Sequence, residues 1–109
     1  MKTYKEWMTY RGDSNPMKLS YVDIWHHAQK IADSNREQAI NLMKKAANLA
    51  METSPGEAKY YLATMFWLNG DYNTTKKYMF DKDVITTGNH NVLKRLLNNN
   101  NSSYSQAYN

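Results

Sequence analysis

The 109 residues carry 14 basic and 10 acidic side chains, a net charge of +4, and no cysteine. That length fits one domain with a core that needs no staple, and the missing sulfur excludes disulfides, thiolate chemistry and zinc sites built on cysteine. No apolar run approaches the roughly 20 residues of a membrane helix, and the opening MKTYKEWMTYRGDSN lacks the apolar stretch of a secretion signal, so a cytoplasmic protein is expected.

Residues 1–14 place Tyr4, Trp7 and Met8 on one face of a short helix before an Arg11-Gly12-Asp13-Ser14 turn. Aromatics of this kind usually cover exposed core, and the Arg-Gly-Asp triplet reads as a turn. Asn15 then stands as N-cap and Pro16 at N1 of the first strongly patterned helix. Tyr21, Ile24, Trp25, Ala28, Ile31 and Ala32 mark its buried side, and it runs to about Asp33.

Ser34 and Glu37 have the spacing of a capping box for a second helix, in which Ala39, Ile40, Met43, Ala46, Ala47 and Ala50 form a wide stripe of small and apolar residues. Ser54-Pro55-Gly56-Glu57 repeats the start signal. The third helix follows, with Ala58, Tyr61, Leu62, Met65 and Leu68 on one face. Gly70 is placed to end it in the left-handed geometry that a Cβ would oppose. Tyr72, Tyr78 and Met79 restart an apolar face on a fourth helix, and Val92, Leu93, Leu96 and Leu97 form the stripe of a fifth.

No segment alternates convincingly, so the expected class is all-α, with about five helices in antiparallel helical hairpins. Residues 1–97 are expected to form the single helical domain. Residues 98–109, NNNNSSYSQAYN, are polar and low in complexity and are expected to be a disordered tail.

Leu62, Ala63, Phe66, Gly70, Asp71 and Tyr72 spell L-A-x-x-F-x-x-x-G-D-Y. This pattern resembles the helix–turn–helix unit of tetratricopeptide repeats and related α-solenoids. The second helix resembles the second half of an earlier unit, with Ala39 equivalent to Thr75, while Ala28 and Ile31 match Ala63 and Phe66. Thr75 stands where the family has Ala. The resemblance spans about residues 20–82, or two units. It implies that the side of each first helix turned from the core lines a concave binding surface. On the third helix that side holds Tyr60, Thr64 and Trp67, with Trp25 and Gln29 beside them from the first; the alternative is burial of Trp67 and Trp25 by the fifth helix or the N-terminal segment.

Chemistry is sparse. His26 and His27 are adjacent and point about 100° apart on a helix, so they cannot chelate one metal together. His90 is remote in sequence, and no metal or cofactor is expected. There is no phosphate loop, nucleophile elbow or H-E-x-x-H. Asp81 and Asp83, flanking Lys82, read as solvated turn residues. No enzyme is expected.

The expected function is a protein–protein interaction module, an adaptor or inhibitor, binding a partner or a second copy of itself through Tyr60, Thr64, Trp67, Trp25 and Gln29. Exposed Tyr and Trp are common interface anchors, and seven methionines suit an adaptable surface. The abundance of Lys, Asn and Tyr matches AT-rich codons, as in a phage-encoded protein. The alternative is nucleic-acid binding. The positive excess lies at the two ends: net +2 in residues 1–18, zero in 19–83 and +2 in 84–109. Lys2, Lys5, Lys94 and Arg95 would then contact phosphates, with N-terminal aromatics stacking on bases. The neutral middle and the three arginines argue against it.

Overall fold

The computed structural model describes residues 16–108, with side chains from residue 20 onward. The N-terminal helix over Tyr4, Trp7 and Met8, the Asn15 cap, and Lys2 and Lys5 lie outside the described residues. Among those described the protein is entirely helical, with α1 (Pro16–Ile31), α2 (Arg36–Ala50), α3 (Pro55–Leu68), α4 (Tyr72–Met79), α5 (Lys82–Thr87), α6 (His90–Asn98) and α7 (Tyr104–Tyr108). The all-α class is as expected; α5 and α7 fall where a link and a disordered tail were expected. No helix among the described residues is long and apolar enough to cross a membrane.

The helix boundaries follow from local chemistry, with two changes from the sequence reading. α2 is capped by Asn35, whose side-chain oxygen accepts from the Gln38 N–H at 3.2 Å while its amide donates to the Gln38 side chain at 3.0 Å. The box therefore closes one residue later than Ser34–Glu37, and the Ser34 hydroxyl turns back to the Ile31 carbonyl. At the start of α3 the Ser54 hydroxyl does not cap. It accepts a hydrogen bond from the Tyr21 phenol at 3.1 Å, and Glu57 is taken by the Asn89 side chain at 3.2 Å. Both partners are remote in sequence, so tertiary contacts outcompete the local box.

The end of α3 is as the sequence requires. Gly70 has φ +83°, the Gly70 N–H bonds the Trp67 carbonyl at 3.1 Å, and the Asp71 N–H bonds the Phe66 carbonyl at 2.9 Å. This is a Schellman pair, satisfying two carbonyls that the helix leaves open. Asp71 then caps α4 through the Thr74 N–H.

α3 is the hub, packing against α2, α4, α5 and α6. Ala39, Ala46, Ala47, Ala50, Ala58 and Ala63 are fully buried, so backbones approach closely. The tightest approach is at Gly56 in the first turn of α3. A Cβ there would stand 2.6 Å from the Asp83 carbonyl oxygen and 2.6 Å from the Thr87 methyl of α5. Glycine is what lets α5 lie across α3. Thr75 is fully buried, and its hydroxyl donates to the Ala63 carbonyl at 3.0 Å. Asp81 and Asp83 are not simply solvated: Lys59 forms ion pairs with both, at 3.3 and 2.8 Å, and Asp81 caps α5.

Because neighbours surround α3, its burial is not confined to one stripe. Tyr60, Thr64 and Trp67 are buried along with Ala58, Tyr61, Met65 and Leu68, whereas Leu62 is only half-buried. Residues 98–109 also depart from the expected disordered tail. Tyr104 and Ala107 are buried, at 3% and 1% exposure, and α7 packs on α6.

Candidate interaction face

The face assigned to a partner in the sequence is assembled, but it is covered. Trp25 from α1 stacks on Tyr61 of α3 at 4.3 Å between ring centroids and 15° between planes. It meets Tyr60 edge-on at 5.2 Å. Tyr21 lies 6.1 Å from Tyr61. Four rings thus join α1 to α3, and each pair adds a specific orientation to ordinary apolar burial. Thr64 is fully buried, its hydroxyl turned to the Tyr60 carbonyl at 3.1 Å. Trp25, Tyr60, Thr64 and Trp67 are therefore not free anchors; Gln29 alone of the five is only half-buried.

The cover over part of this face is the chain's own C-terminal segment. Trp67 meets the Tyr104 ring edge-on at 6.3 Å and Tyr72 at 6.2 Å. Its indole N–H donates to the Leu96 carbonyl at 2.9 Å and to the Asn100 side-chain oxygen at 3.0 Å. The Tyr72 phenol holds the Asn100 carbonyl at 2.9 Å. Gln29 donates to the Tyr104 phenolic oxygen at 2.8 Å. Burial raises the pKa of the Tyr104 phenol well above its ordinary value. The ring is therefore neutral at any ordinary pH.

Asp33, just past the end of α1, completes the clasp. Its carboxylate accepts from the Tyr104 N–H at 2.7 Å, the Ser105 N–H at 3.2 Å and the Ser105 hydroxyl at 2.7 Å. It does for α7 what an N-cap side chain does, from a distant part of the chain. Partial burial pulls the Asp33 carboxyl upward, but the bonds from Ser105 and Tyr104, with Arg36 nearby, outweigh it and hold the pKa below its ordinary value.

No known family, curated protein or solved structure matches the chain.

Beside the docked segment an open cleft of about 600 Å³ is lined by His26, Gln29, Lys30, Tyr104, Ser105 and Tyr108. Half of its wall is α1 and half is α7, so the cleft exists only while the segment is docked. Lys94 and Arg95 are exposed on α6, and the Arg95 guanidinium sits 5.8 Å from the centre of the Tyr108 ring. Among the described residues no three His, Asp or Glu side chains converge as a metal site.

Asp33, Asn100, Tyr104 and Ser105 are the contact residues that the sequence reading missed. Three of them lie in a run read as polar and unstructured. The one available signal was the spacing of Tyr104, Ala107 and Tyr108, a single apolar turn. Asp33 carries no local signal, because its partners lie 71 and 72 residues away.

Proposed function

We propose that this chain is a small, non-enzymatic protein-interaction module, an adaptor or inhibitor, that holds a short segment of a partner protein against the face formed by α1 and α3. Its helices form antiparallel hairpins of tetratricopeptide type in this reading, with α1 and α3 as the first helices of two units. In such units that side of the first helix carries the ligand. The observation that supports the reading is the position of residues 100–108. Asp33 and Tyr72 bond to their backbone, and Gln29 and Trp67 bond to the side chains of Tyr104 and Asn100. Recognition of a peptide's main chain together with one aromatic anchor is the usual economy of peptide-binding grooves.

The test is capture of a partner from cells of the protein's source, using the wild-type chain and an Asp33→Ala, Gln29→Ala variant in parallel. The expected result is a protein retained after nuclease treatment and at raised salt, and lost or weakened on the variant. Material that disappears with nuclease or salt, and that depends on Lys94 and Arg95 instead, would favour the nucleic-acid alternative.

A further inference from the structure

We infer that residues 101–108 are a built-in competitor, and that the partner segment this face accepts is a short helix start led by a tyrosine and followed by serine or threonine. The inference rests on the interaction-module reading and supplies the chemistry of the ligand and the regulation of the same site.

The specificity is written in the contacts of the resident segment. Gln29 presents an amide donor that a tyrosine phenol accepts and a phenylalanine cannot. The Trp67 edge and the buried surroundings fix the ring. Asp33 takes two successive N–H groups and a hydroxyl, which a chain entering a helix with serine, or its hydroxyl homologue threonine, at the second position presents together. A lysine or glutamate at that second position would forfeit the hydroxyl bond, and glutamate would face the Asp33 carboxylate.

Displacement is built into the same arrangement. α7 has five residues, too few to persist as a helix by itself, so it is helical only while docked. Only Tyr104 and Ala107 are buried in it, while Gln106 is exposed and Ser105 is exposed at the edge of the open cleft. Asn100 stays held by Trp67 and Tyr72, so release of the segment begins after it and leaves α6 in place. A face occupied in cis binds an external ligand with its affinity reduced by the fraction of time it stands empty.

The experiment uses full-length chains and a fluorescent synthetic peptide of residues 101–109, followed by anisotropy. Tyr104→Ala and, separately, Ala107→Glu weaken the resident segment without altering the face. Both variants are expected to bind the peptide at least tenfold more tightly than the wild type, and adding Asp33→Ala to either is expected to remove the gain. A peptide with Phe in place of its tyrosine at position 104 is expected to bind more weakly. Equal binding by wild type and both tail variants, or none by either folded variant, overturns the proposal. Loss of the helical circular dichroism spectrum in both tail variants also overturns it, because the segment would then be core and not a replaceable occupant. The peptide assay needs no cellular partner. Failure to capture one therefore counts against the interaction-module reading alone.

Discussion

The Asp33 carboxylate accepts a hydrogen bond from the Tyr104 backbone N–H at 2.7 Å, joining the end of α1 to the start of α7 across 71 residues. A side chain that caps a helix is worth about 0.5–2 kcal/mol. Here the cap is supplied from outside, so its loss is felt at α7 first. Asp33→Ala is expected to lower the amide protection of residues 104–108 strongly while moving the global melting temperature by a few degrees at most. Hydrogen exchange read by mass spectrometry and a thermal melt of the same sample check both halves.

The same carboxylate makes docking depend on pH. Its folded-state pKa is depressed, so its contribution is complete above the ordinary carboxylate pKa of about 4 and is lost as pH falls through the lower folded value. Release of the segment is therefore expected only in strong acid, below about pH 4. Asp71 and Asp81, also depressed, weaken the fold in the same window. An Asp33→Asn chain separates the two effects. It should show no acid step in the Tyr104 and Ser105 amide resonances, while the rest of the protein still responds.

Trp67 is core in spite of its position on the stripe assigned to a partner. Trp67→Ala should cost about 3–5 kcal/mol, the usual penalty for emptying a buried aromatic site. Trp67→Phe keeps most of the ring and removes the donor to the Leu96 carbonyl, at about 1–3 kcal/mol. A Tyr60→Ala, Trp67→Ala chain is expected to be unfolded at ordinary temperature, as urea titration would reveal. A stable double variant would mean that the rings are not packed as described.

Two glycines are irreplaceable for different reasons. At Gly70 there is space for a side chain but φ is +83°, so Gly70→Ala should cost about 1 kcal/mol and Gly70→Val more. At Gly56 the backbone is ordinary helix and the space is missing. Gly56→Ala should gain slightly in helix propensity yet lose about 1–3 kcal/mol overall by pushing α5 away from α3. Chemical denaturation of both variants, with Ala at each site, gives the comparison directly.

The class and the principal helices were legible because their apolar residues recur at helical spacing and their ends carry Asn, Pro and Gly in the right places. What misled was the assumption of one buried stripe on α3. The run YYLATMFWL is apolar on every side, and a helix of that kind is surrounded, not amphipathic. That signal was present, and it points to Tyr60 and Trp67 as core; the half-burial of Leu62 leaves no such trace. The docked segment was illegible for another reason. Its order comes from bonds between side chains and backbone over 28 to 72 residues, and such pairings leave no periodic trace.

α1 and α7 are fastened to one another. α1 packs chiefly on α2 and reaches α3 through its rings, while α7 reaches α1 through Gln29 and Asp33. In a run of helices stacked one on the next, each end frays by itself. Here α7 is fastened through Gln29 and Asp33 to α1, which itself stays packed on α2, so α7 opens from a face that remains in place. Amides of α7 are then expected to open at a lower free energy than those of α1, which keeps its packing on α2 and α3. Among the described helices α7 is the removable one, and the seam it leaves runs along α1.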